Sequence, residues 1–205
     1  MQLNRSHAPV AALILALLMT ACGGSASGTS ATASPTASPE PTTDPPSVLP
    51  SAGAVADLEA LIPAEIGGIP LQKSSMSGDQ FVTSGSSSQE LQDFLGSLGV
   101  AVTDVSIAIG VGLSPQSGDA VAMFVFRAEG ADTDQLVRGF KAAYDADNEE
   151  GLVWEPASIG GKTVERTTNP QQPDQVIYLY ARDDVLFFLT TATEGQAAEA
   201  LAALP

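Results

Sequence analysis

One cysteine, Cys22, and one histidine, His7, are all that 205 residues hold of two side chains much used as nucleophile, neutral-pH base and soft metal ligand. A single thiol closes no disulfide within the chain, so any fold must rest on its hydrophobic core. Basic residues are also scarce, with 8 Lys+Arg against 24 Asp+Glu and a formal charge of -16. A surface that acidic repels phosphate backbones and anionic head groups, which excludes nucleic acid as a partner. Long apolar runs are missing too. The longest uncharged one near the N-terminus, Val10 to Met19, is about half the roughly 20 residues that a membrane-spanning helix needs.

What is present at the N-terminus has a processing signal's layout. The α-amino group and Arg5 supply positive charge, the apolar run follows, and the small residues Thr20 and Ala21 precede Cys22. These residues resemble the lipobox of bacterial lipoproteins, although the leucine usual three places before the cysteine stands one place earlier, as Leu18. The resemblance covers residues 1–22. It implies that 1–21 is a signal peptide, that the Cys22 thiol receives a diacylglyceryl group, and that the mature chain is held on the extracytoplasmic side of the cell membrane. Two or more acyl chains anchor stably where one does not, because each buried methylene contributes about 0.8 kcal/mol.

From Gly23 to Ser47 every residue is Gly, Ser, Thr, Ala, Pro, Glu or Asp. Such a segment has nothing with which to build a core, so 22–47 is expected to be a disordered tether with a random-coil span of about 28 Å. Removal of 1–21 takes away Arg5 and His7 and leaves about -17 of charge. The mature chain then has neither imidazole nor free thiol, which rules out Ser/His and Cys/His nucleophiles and the common zinc ligands. Carboxylates, Lys73, Lys141, Lys162 and hydroxyls remain, but no local motif selects a reactive pair among them. The expectation is therefore no catalytic residue, no metal ligand and no cofactor. Asp145, Asp147 and Glu149 alternate like a calcium loop, yet Glu150 stands at the glycine position and Pro156 at the twelfth.

Residues 48–205 suffice for one domain. Within it PAEIGGIPLQK (Pro63 to Lys73) and PASIGGKTVER (Pro156 to Arg166) share the pattern P-A-x-I-G-G-x-x-[LV]-[QE]-[KR], placing repeats at about 61–150 and 156–205. Each copy precedes two β-rich runs and an amphipathic helix: VSIAIGVGL and AVAMFVFRA before DTDQLVRGFKAAYDA, then VIYLYAR and VLFFLTT before EGQAAEALAAL. A further helix, SQELQDFLGSLG, sits in the first half, with Ser87 as cap and Leu91, Phe94, Leu95 and Leu98 on one face. A short helix from about Ala54 to Leu61 precedes the first copy. The expected fold is α+β: a mostly antiparallel sheet of about six strands with amphipathic helices packed on it, in two pseudo-symmetric βββα halves. The Ile-Gly-Gly steps read as tight entries to the leading strands. They lack the spacing of a phosphate-binding loop.

A turn at Asp183-Asp184 would put Tyr178, Tyr180 and Phe187 on one face of the second hairpin and Ile177, Leu179 and Phe188 on the other. Two apolar faces need two covers, or one is kept for a ligand; Tyr178, Tyr180 and Phe187, with the sole tryptophan Trp154, are the candidate ligand surface. Three functional readings follow. The first is a non-catalytic, lipid-anchored binding domain with an unidentified ligand or protein partner; the others are a carrier of lipid or another hydrophobic molecule, and a carboxylate-based cell-wall hydrolase. Beyond the lipobox, the order of tether, I-G-G-K strand, hairpin and closing AAEALAALP helix resembles that of uncharacterised secreted bacterial lipoproteins, and implies no activity.

Overall fold

Each Ile-Gly-Gly step folds as the two-residue turn of a β-hairpin. Gly67 and Gly68 have φ of 58° and 74°, and Gly160 and Gly161 have 58° and 78°. Two successive positive φ values belong to a type I′ turn, whose twist matches that of the strands it joins, and glycine adopts them without a Cβ clash. The first turn joins β1 (Glu65–Ile66) to β2 (Ile69–Pro70), and the second joins β6 (Glu155–Ile159) to β7 (Lys162–Asn169). The residues before each turn are thus strand as well, where the sequence pattern suggested only an entry.

The computed structural model describes residues 53, 55–84, 88–146, 152–169, 172–191 and 193–205. Cys22, the tether, the Ser87 cap, the side chain of Leu91 and the acidic stretch 147–150 lie outside them. The other strands are β3 (Gln72–Ser77), β4 (Val105–Leu113), β5 (Ala120–Ala128), β8 (Gln172–Arg182) and β9 (Val185–Thr191). Seven strands form one antiparallel sheet in the order β3-β4-β5-β9-β8-β7-β6, and β1 and β2 form a separate pair. The helices are α1 (Ala56–Glu59), α2 (Gly78–Ser84), α3 (Ser88–Leu98), α4 (Thr133–Ala146) and α5 (Glu194–Ala203). The fold is α+β.

Local chemistry sets the helix ends. Asp132 accepts a hydrogen bond from the Gln135 amide at 3.0 Å and so caps α4, while Gly99 leaves α3 with a φ of 70°. Thr193 and Gln196 form a reciprocal capping box at the start of α5. The GDQFVTS stretch of α2 is short and carries Val and Thr, which is why no helical periodicity announced it.

Strand alternation divides the core between the two sheet faces. On one, Val121, Met123 and Val125 of β5, Tyr178 of β8 and Phe187 and Leu189 of β9 are buried under Leu58, Ile62, the β1/β2 hairpin and Ala197, Ala200 and Leu201 of α5. Gly110 lets Ile62 and Gly112 lets that hairpin lie close, since a Cβ on Gly110 would come 2.7 Å from Ile62 and one on Gly112 2.8 Å from Ile69. On the other face, Ile177, Leu179, Leu186 and Phe188 pack with Phe124, Phe126 and the α4 residues Val137, Phe140 and Tyr144. Met76, Val105 and Ile107 meet Leu95 of α3 and Leu136 of α4 there.

The strand order reads the same outward from the β5/β9 pair, through β4 and β3 on one side and β8 and β7 on the other. β6 then extends the second side, with no counterpart beyond β3 in this sheet. The helices α4 and α5 also differ in placement. α4 packs on one face and α5 on the other. The reason is occupancy: α1 and the β1/β2 hairpin already share the α5 face, whereas α3 offers Phe94 and Leu98 to Gly139 of α4 on the opposite side.

Both glycine turns grip α5. A Cβ on Gly160 would lie 2.5 Å from the Ala198 carbonyl and 2.8 Å from the Ala202 amide, and one on Gly67 would lie 2.6 Å from the flexible Gln196 side chain. Gly161 faces open space. Gly161→Ala should therefore cost about 1 kcal/mol for its positive φ alone, and Gly160→Ala about 2–4 kcal/mol because rigid helix backbone is in the way. Urea midpoints of the two variants check this, and equal losses would refute the grip.

A second consequence concerns acid. Arg127 on β5 donates to Asp57 on α1 at 2.6 Å, and this hydrogen bond holds the Asp57 carboxyl below its ordinary value of 3.8. A lowered carboxyl stabilises the fold above its unfolded value and loses that contribution as pH falls through the folded one. With Asp57 65% exposed, solvent limits the effect. Arg127→Met should cost about 0.5 kcal/mol at pH 7. The difference from wild type should close below pH 3.8 in pH-dependent urea melts.

Candidate functional site

The structure separates the four aromatic candidates. Tyr178 and Phe187 are each 1% exposed under α5 and belong to the core. Tyr180 is half-buried and stacks on Phe187 with centroids 5.6 Å apart; its hydroxyl donates to the Pro205 carbonyl at 3.3 Å. Lys162 lies 5.4 Å from the Tyr180 ring and donates to the same carbonyl at 2.9 Å. Trp154 joins the other face, edge-on to Tyr144, with its indole N–H donating to Asp145 at 3.0 Å. Lys141 sits 5.4 Å from the Trp154 ring and is bound to Glu165 at 2.9 Å. The candidate ligand surface is thus not one surface: three members are packed beneath or beside a helix and the fourth lies across the sheet.

An open feature lies elsewhere. At the end of the sheet, a cleft of about 470 Å³ is lined by Leu152, Val153, Glu155, Arg166, Thr167, Thr168 and Val176. β6, β7 and β8 supply its floor, and Val153 stands 75% exposed at its rim. Arg166 pairs across the ladder with Tyr178, so its side chain is on the α5 face. Its guanidinium reaches Glu155 at 3.5 Å and Glu194 at 3.8 Å, and it remains 41% exposed. Both contacts are at or beyond hydrogen-bond reach, so the planar fork of donors is attracted but not locked.

The repeat makes Arg166 informative, because it is the counterpart of Lys73 in the first copy. Lys73 is on the same face, opposite Gly110. Its ammonium is satisfied by backbone, donating to the carbonyl of Glu59 at 3.3 Å and to that of Ile62. Ser75 beside it is 1% exposed, donates to the Glu59 carboxylate at 2.6 Å and accepts from the Val55 amide. In the first half, therefore, the segment 55–62 fills the ground above the strand. Beside Arg166 on β7 lies the cleft. Sequence reasoning passed over Arg166, although its place at the end of the shared pattern was the signal.

Chemically, the cleft offers a positive fork between two carboxylates, a hydroxyl from Thr168, and apolar walls from Leu152, Val153 and Val176. Among the described residues no three metal-ligating side chains converge on one point, and no helix is long and apolar enough to cross a membrane. No protein-family model, curated protein or solved structure matches this chain.

Tyr178 senses the same charges from below. Burial pushes its phenol above the ordinary value of 10.0, the Glu194 carboxylate pushes it further, and Arg166 opposes both. A phenol raised on folding leaves stability intact below its unfolded value and erodes it as pH rises beyond, because the unfolded chain ionises first. Tyr178→Phe should accordingly move the alkaline unfolding transition to higher pH while costing little at pH 7, as followed by circular dichroism. An unchanged alkaline midpoint would show that this phenol does not govern it.

Proposed function

We propose that this chain is a lipid-anchored, extracytoplasmic domain of the cell membrane that binds a ligand or protein partner and catalyses no reaction. The observation that carries the reading is the place of its only cysteine, Cys22, at the end of a short apolar run and the start of a Ser/Thr/Pro tether. An exported protein gains nothing from a lone free thiol, whereas a lipidated one uses it up. The tether then holds the folded part off the bilayer, leaving its surface free to meet a partner. Loss of His7 with the signal peptide leaves the mature chain without an imidazole, which supports binding over catalysis.

The carrier of hydrophobic molecules is the weaker reading, because the apolar faces it would use are those that α5 and α4 cover. In our reading the two halves are related by a pseudo-twofold in their strands and glycine turns, and the helices were fitted to each half separately. That difference leaves one half with the open cleft.

Cys22→Ala should abolish lipidation and shift the protein from the membrane pellet to the soluble fraction in high salt. Retention in the pellet would sink the anchor.

A further inference from the structure

Resting on the reading of this domain as a binding module, we infer that the Arg166 cleft is a peptide-binding site, taking a short apolar segment whose backbone carbonyls are held by the guanidinium. The protein supplies its own precedent. Lys73, the counterpart of Arg166 in the repeated pattern, holds two backbone carbonyls of one short segment, those of Glu59 and Ile62. That segment also presses Leu58 and Ile62 into the same face of the sheet, where both are buried. Arg166 has the same place in the repeated pattern; among the described residues no backbone carbonyl accepts a hydrogen bond from it, and the cleft lies beside it.

The charges choose among occupants. Glu155 and Glu194 flank the guanidinium, and the mature chain carries about -17, so a free anion is repelled where a neutral carbonyl is not. The same two carboxylates accept hydrogen bonds, and peptide N–H groups would supply them. Leu152, Val153 and Val176 give an apolar side chain something to lie against, and a volume near 470 Å³ is in the range of small-ligand pockets. Arginine adds to what lysine does in the first copy a rigid planar fork of five donors, which can hold carbonyls while still facing the two carboxylates.

Strand addition at the sheet edge is not the mode. In the β6/β7 hairpin Ile159 and Lys162 close the turn, so Ser158 and Pro156 are the β6 residues whose backbone faces outward. Proline has no N–H to give, which blunts that edge. A peptide would instead lie on the face, as 59–62 does in the first half.

The test is an amide chemical-shift titration of the isotope-labelled full chain in detergent with acetyl-Ala-Leu-Ile-Pro-amide, which copies residues 60–63. Saturable shifts at Val153, Thr168 and Val176 are expected, with Arg166→Met weakening binding by roughly tenfold or more. Because Arg166 also packs near Tyr178, Val153→Asp at the exposed rim serves as a second variant, and it too should weaken binding without disturbing the fold. Absence of saturable shifts, shifts that survive Arg166→Met, or equal shifts from acetate alone would each overturn the peptide site. None of these touches the anchor. Conversely, membrane retention of Cys22→Ala would remove the anchored-domain reading and leave the cleft standing.

Discussion

A sheet whose central strands carry apolar side chains on both faces must be covered twice, and every other feature of this fold answers to that demand. Phe187 and Phe188 are neighbours on β9 yet belong to different clusters, as do Tyr178 and Leu179 on β8. Full burial of such side chains stabilises by roughly 1.5–3 kcal/mol each, so neither face can be left wet. The chain meets the demand with unlike covers. α4 brings a wide aromatic stripe to one face, where Phe140 and Tyr144 pack against Phe188 with centroids 5.3 and 5.6 Å away. Half of α5 is alanine, so it lies close to the other face, and the space it does not fill is taken by α1 and the β1/β2 hairpin.

That closeness is why the repeat has glycines where it does. The I′ turns need them for φ, but Gly160 also needs the absence of a side chain because the α5 backbone passes within contact distance. Two requirements thus meet in one residue. A pattern that looks like strand punctuation in the sequence is a hairpin turn and a helix seat together.

Much of the fold could be read beforehand, for local reasons. The runs now seen as β4, β5, β8 and β9 are rich in Val, Ile, Phe and Tyr and bounded by turn residues, and α4 and α5 follow 3.6-residue patterning with caps. The face assignments of Tyr178, Tyr180 and Phe187 against Ile177, Leu179 and Phe188 also agree, because a two-residue turn at Asp183-Asp184 fixes the register. Sequence could not tell which face each helix takes, since either apolar face would accept either stripe. The places of the four aromatic residues were not legible for the same reason: aromatic side chains signal burial and binding alike, and the position of α5 and Trp154 is set by tertiary packing. Arg166 carries no periodicity of its own and gains meaning only against Lys73.

The few cations of this acidic chain explain why that comparison matters. Arg127 meets Asp57, Lys141 meets Glu165, Lys162 meets Pro205, Arg182 meets Asp183 and Lys73 meets two carbonyls. Four of these contacts are structural junctions, α1 to β5, α4 to β7, Pro205 to β7 and the 55–62 segment to β3, whereas Arg182 meets only its neighbour in sequence and Arg138 is exposed on α4. Arg166 is held loosely by Glu155 and Glu194 beside a cleft. In the first half the equivalent cation is saturated by chain that runs directly into the hairpin. In the second half, Val153 instead stays exposed at the rim. An acidic domain of this kind gains little by attracting anions. In our proposal the carboxylates around Arg166 discount negatively charged competitors, which favours neutral, carbonyl-bearing segments in the cleft.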